Sequence, residues 1–111
     1  MNYSRNEVVL LPIPFTDLTS RQVRPAIVLG RNGADLFLVP ISSQLSNTDS
    51  ALKEWRAAGL NVPSGLKDQI ATVEERLVEK IVGVLALADR ELLNERLRNW
   101  LQLQAESSAN Q

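Results

Sequence analysis

A chain of 111 residues with 44% hydrophobic side chains and a net charge of −1 is one domain, large enough for a single core and small enough that a second copy would help to cover its surface. With no cysteine and no histidine, disulfides, thiolate metal sites and imidazole acid/base chemistry are excluded, so any catalysis must use carboxylates, hydroxyls, lysine or arginine. The balanced charge argues against wholesale coating of nucleic acid but allows a local basic patch. No charged leader and no bilayer-length apolar run is found, which predicts a cytoplasmic protein.

Glu7 to Ile13 is rich in Val and Leu and closes at Pro12-Ile13-Pro14, the pattern of a first strand stopped by proline. Thr16 to Val23 is polar and longer than a hairpin turn needs. It is a surface loop, either closing over a ligand or simply solvated. Arg24 to Leu29 predicts a second strand and Asp35 to Ile41 a third, and the Asn32-Gly33 signature between them predicts a tight hairpin. Ser42 to Ser50 is loop by composition. Leu52 to Leu60 predicts a short helix ended by Gly59; Pro63-Ser64-Gly65 then precedes a fourth strand, Leu66 to Val73. A turn over Glu74 to Leu77 leads to a fifth strand, Lys80 to Leu85.

From Asp89 onward Leu93, Leu97, Trp100 and Leu101 recur at helical spacing, with Asp89 as N-cap and Glu91 in the first turn. Trp100 on that stripe reads as core and not as a partner anchor. Ala105 to Gln111, small and polar, predicts a frayed tail after a single domain over 1–104. The whole is a mainly β fold, a small twisted barrel-like sheet of five strands with a C-terminal helix. Arg21, Arg24 and Arg31 lie in or near one loop–strand unit, which makes a local phosphate site possible in an otherwise balanced field.

Three blocks, Pro12-Ile13-Pro14-Phe15-Thr16-Asp17-Leu18, Val23-Arg24-Pro25-Ala26-Ile27-Val28-Leu29 and Val39-Pro40-Ile41-Ser42-Ser43-Gln44, are followed by Leu66-Lys67-Asp68-Gln69-Ile70. In order and spacing they resemble the PemK/MazF family of type II toxin–antitoxin toxins. The resemblance implies an SH3-like barrel shared with CcdB-type toxins, a homodimer, and a metal-independent endoribonuclease that cleaves single-stranded mRNA without a cofactor. It also implies a cognate antitoxin whose extended or helical segment occupies the RNA groove.

Such cleavage needs a base for the ribose 2′-hydroxyl, an acid for the leaving 5′-oxygen and donors on the phosphoryl oxygens. Arg24 falls on the family's Arg-Pro position, where a planar guanidinium suits two phosphate oxygens; the plain alternative is an arginine paired with a carboxylate at a strand start. Ser42 falls where the family carries a hydroxyl after the third strand, as a phosphate donor or else as a turn-forming serine. Asp68 matches the Asp-Gln motif, but the arginine that some members carry two residues earlier is Leu66 here, and Lys67 faces the other side of a strand. Five residues before Arg24, where many members carry glutamate, stands Thr19, which cannot act as a general base at neutral pH. The acid/base carboxylate is then Asp68 or Asp17. Thr16, Thr19, Arg21, Ser43, Gln44 and Gln69 complete the RNA-binding candidates, with Arg21 as a backbone clamp. Asn6 stands where glycine is usual, and both residues tolerate positive φ. Two alternatives stay open: a CcdB-like gyrase-binding poison, and a toxin-like RNA-binding protein that has lost turnover.

Overall fold

The central strands carry apolar side chains at consecutive positions because both faces of their sheet are covered. In the computed structural model, which describes residues 2–12, 22–45 and 49–103, these are β1 (Glu7–Pro12), β2 (Val23–Asn32) and β3 (Asp35–Ser42). Alternation divides them between two cores. Val8, Ile27, Val39 and Ile41 lie on one face under Leu52, Ala58, Leu85, Leu93 and Leu97, while Val9, Leu11, Ala26, Val28, Leu36 and Leu38 join Val73 on the other. At ~25 cal/mol per Å² of apolar area, burial on both faces is the main term that holds so small a chain together.

The remaining elements are β4 (Gly65–Leu66), β5 (Ala71–Glu74), a 3-10 turn at Glu75–Leu77, β6 (Lys80–Val84) and helix α1 (Leu87–Leu101). All strand pairs are antiparallel, in the order β4-β3-β2-β1-β6, with β5 also on β3. The mainly β fold with a C-terminal helix is as expected from the sequence. Among the described residues no ladder joins β6 to β4 or β5, so the sheet is open and has six strands, not five. The β2–β3 reversal is a two-residue loop, Gly33-Ala34, in which Gly33 has φ 62°, while Asn32 still pairs with Asp35. Positive φ at the first loop position is what a hairpin turn of this length requires. Asn6 has φ 76°, in keeping with its glycine-like position.

Four local expectations are corrected. The single strand over 66–73 is interrupted: Ile41 pairs with Leu66 and Leu38 with Ala71, but between them Gln69 N–H turns back to the Lys67 carbonyl (2.7 Å) in a three-residue turn that lifts Asp68 off the ladder. The helix over 52–60 is a run of turns with one α-type bond, Ala58 N–H to Glu54 O (3.2 Å). Its end follows the predicted glycine stop, since Gly59 has φ 88° and the bonds Gly59 N–H to Arg56 O and Leu60 N–H to Trp55 O close a Schellman motif.

Asp89 is not an N-cap. Helix α1 begins at Leu87 after Ala86, and Asp89, 1% exposed, turns inward to accept the backbone N–H groups of Lys53 (2.8 Å) and Glu54 (2.9 Å). It caps the 53–59 turns from across the molecule. Leu101 is 49% exposed and off the buried stripe, whereas Trp100 packs against the helix-side core as its spacing predicts.

The 53–59 turns also pack on the helix-side face of β6. A Cβ on Gly59 would overlap the Val82 carbonyl, and one on Gly83 would overlap the Ala58 carbonyl, so the two backbones meet through paired glycines. The meeting point coincides with a β-bulge, because Val8 pairs with Gly83 and Val9 with Ile81, leaving Val82 as the extra residue.

Candidate functional site

Residues that follow the turn segment and residues of β6 line a groove of about 560 Å³. Its floor is Leu10, Pro25 and Ile41 from β1, β2 and β3. Gly59 to Val62 with Ser64, Lys80 to Val82, Arg24 and Ser43 complete its lining. The volume lies within the roughly 300–1,000 Å³ typical of ligand clefts.

Register brings the Arg24 and Lys80 backbones near each other, although their partners Leu11 and Leu10 face opposite sides of the sheet. Arg24 pairs with Leu11 on one side of β1, and Lys80 pairs with Leu10 on the other. Their backbones are therefore two strand spacings apart, about 9–10 Å. Arg24 is exposed and donates from Nη2 to Gln22 Oε1 (2.9 Å), and no carboxylate among the described residues pairs with it. The plain reading of Arg24 as half of a strand-start ion pair thus finds no support among those residues.

Arg31 contrasts with it. That guanidinium is bound to Glu75, to the Gly33 carbonyl and to Asn2 Oδ1, a clasp between the β2–β3 hairpin and the 3-10 turn.

Of the other candidates, Ser43 lines the groove and is exposed, whereas Ser42, Gln44, Asp68 and Gln69 are not among its lining residues. Ser42 Oγ accepts the Gln44 backbone N–H (3.0 Å), the turn chemistry expected of a loop-forming serine; the hydroxyl proton stays available for donation. Asp68 is exposed, with no hydrogen-bond partner among the described residues. Thr16, Asp17, Thr19 and Arg21 lie outside the described residues. Their segment leaves the sheet at Pro12, and the chain rejoins it at Val23; because Pro12 pairs with Val23 and Leu11 with Arg24, both ends are beside Arg24.

Lys80 and Asn61 are groove residues that reading the sequence missed. Each is separated from Arg24 by more than thirty residues, and no local pattern marks either one. Elsewhere, Arg76 holds the Glu74 carboxyl below its ordinary value, first by a side-chain hydrogen bond and then by its charge; this exposed pair is not among the groove residues.

An open antiparallel sheet of this order with a terminal helix is the fold of a class of small bacterial toxins. The chain superposes on the Mycobacterium tuberculosis toxin MazF-mt6 with TM-score 0.69 at 18% identity, covering 86% of this chain and 96% of that one. It superposes on an endoribonuclease from Mycobacterial species with TM-score 0.69 at 19% identity (95% and 97% covered), and on an endoribonuclease in complex with its cognate antitoxin, also from Mycobacterial species, with TM-score 0.67 at 16% identity (92% and 96%). No protein-family model and no curated protein matches the sequence. Among the described residues no helix is long and apolar enough to cross a membrane.

Proposed function

We propose that this chain is the toxin of a type II toxin–antitoxin system, a cytoplasmic, homodimeric endoribonuclease of the PemK/MazF kind that cleaves single-stranded RNA without a metal and is neutralised by a cognate antitoxin. The observation that carries this reading is Arg24: a residue whose guanidinium has no carboxylate partner among the described residues and that lines a groove with a second cation. The shared fold and the Arg-Pro, Ser-Ser-Gln and Asp-Gln motifs support it.

In the reaction, the 2′-oxygen attacks the adjacent phosphorus while its proton passes to a base. The P–O5′ bond breaks, and the 5′-oxygen takes up a proton, leaving a 2′,3′-cyclic phosphate and a 5′-hydroxyl. Arg24 supplies a forked pair of donors to the phosphoryl oxygens, whose charge rises in the transition state. Ser42 donates a further hydrogen bond. No carboxylate lines the groove among the described residues, so the proton carrier comes from outside that lining. Asp17, on the segment that starts and ends beside Arg24, is better tethered for the role than Asp68, which is lifted off the far edge of β3.

The test is incubation of the purified protein with a long RNA in EDTA, together with Arg24→Ala and with a parallel assay of gyrase on relaxed plasmid. Cleavage by the parent and not by Arg24→Ala supports the reading. Gyrase inhibition without RNA cleavage sinks it.

A further inference from the structure

The groove is cationic in a chain whose net charge is −1. Its described lining contains Arg24 and Lys80 and no carboxylate, whereas a smaller cleft of about 280 Å³ beside α1 is lined by Asp49, Asp89, Glu91 and Glu95, with Lys53 as the one cation among the described residues. Charge is thus segregated by site, and a positive cleft concentrates anions. The two cations come from the strands on either side of β1, Lys80 opposite Leu10 and Arg24 opposite Leu11, and both line the groove. Lys80 is exposed and in no ion pair among the described residues. In the segment after the 53–59 turns, the exposed Asn61 side chain makes no hydrogen bond among the described residues, between the apolar Leu60 and Val62. An amide offers a donor and an acceptor side by side, the pattern that an unpaired base edge can match. The 53–59 turns that lead into this segment are held at both ends, by Asp89 on the Lys53 and Glu54 N–H groups and by the Gly59–Gly83 contact.

We propose that this groove seats the nucleotide next to the phosphate held by Arg24, with Lys80 on that nucleotide's own backbone phosphate and Asn61 on an edge of its base. Lys80 is then a positioning contact that adds affinity without sequence preference, and Asn61 a determinant of which sequence is cut. This rests on the RNA-cleaving reading of the site and adds to it. An acidic protein segment would also meet two cations and could bond the Asn61 amide through its backbone, and the polyglutamate arm of the test below separates it from a nucleotide.

Lys80→Gln and Asn61→Ala both change exposed side chains, and unchanged melting temperatures would verify their folds. Binding is measured on mixed-sequence single-stranded DNA, which lacks the attacking 2′-hydroxyl, over a salt series. Cut sites are mapped on a long RNA. Lys80→Gln should weaken binding several-fold and lower the slope of log K against log salt by about 0.7, the loss of one phosphate contact on a single strand, with the cut-site preference intact. Asn61→Ala should keep that slope but flatten the preference at one position beside the cut. If the parent cleaves RNA and neither variant differs from it, the strand does not run through this groove and the inference fails while the endoribonuclease reading stands. The inference also fails if Lys80→Gln leaves DNA binding unchanged yet loses affinity for a polyglutamate peptide. A parent that neither binds nor cleaves overturns both.

Discussion

Arg24 and Arg31 sit on one strand, and their surroundings separate their roles. Arg24→Ala should abolish both RNA cleavage and growth inhibition on overexpression, because no other described residue of the groove offers a planar, two-pronged donor. Arg31→Ala should leave toxicity intact and lower the melting temperature slightly, since a half-exposed ion pair is worth about 1 kcal/mol at most. Equal loss of toxicity in both would indicate general electrostatics. Losing a general base typically costs ~10²–10⁴-fold, so Asp17→Asn should slow cleavage by that order, and Thr19→Glu should raise the rate if it supplies a better-placed carboxylate. Asp68→Asn should matter less than Asp17→Asn; rates in the opposite order would return the role to Asp68. Arg24 was legible in the sequence because its neighbours Pro25 to Leu29 carry a motif. Lys80 was not, because what brings it to Arg24 is the pairing of both β2 and β6 with β1, and no window along the chain contains that.

Where the sequence misled at the level of elements, a long-range contact had displaced a local preference. Leu52 to Leu60 has a helix's apolar spacing and its glycine stop, but a single turn is too short to sustain itself. It is fixed instead by the Asp89 carboxylate and by the paired glycines. Asp89 looked like an N-cap because Asp before an apolar helical stripe usually is one. The actual start, at Ala86, has no side-chain cap and so left no signal. Asp89→Ala should cost on the order of 2 kcal/mol by leaving two backbone donors without acceptors, a drop of roughly 10 °C in a thermal melt. Asp89→Asn, which presents one oxygen where two are needed, should lose part of that. Gly83→Ala should destabilise by about 1–3 kcal/mol or else widen the groove by pushing the Ala58 carbonyl away. A variant that melts like the parent and cleaves with unchanged site preference would show that the 53–59 turns do not set the groove lining. Leu97→Asp, at a buried position on α1, should cost several kcal/mol.

At the scale of the molecule, the two-faced core left a clear imprint on the sequence. Consecutive apolar runs in β1 to β3 cannot be satisfied by a sheet with one wet face, and here both faces are covered. Among the apolar side chains that stay exposed are Ile81 and Val84 on the edge strand β6 and Leu87, 72% exposed, at the start of α1, besides others such as Val62 and Leu103. Apolar side chains beside an unpaired strand edge are an aggregation hazard unless something covers them, and the simplest cover is a second copy of the chain. Ile81 also lines the groove, so a partner placed there would extend the RNA path into the neighbouring protomer. Sedimentation at micromolar concentration should therefore give twice the chain mass, and Leu87→Lys, which alters no buried contact of the single chain, should shift it towards the monomer. If the groove is completed across that interface, cleavage per chain should fall as the protein is diluted through the dimer dissociation range, and should fall at a higher concentration for Leu87→Lys. A monomeric parent, or a rate per chain that stays constant while the dimer dissociates, would leave each groove working alone.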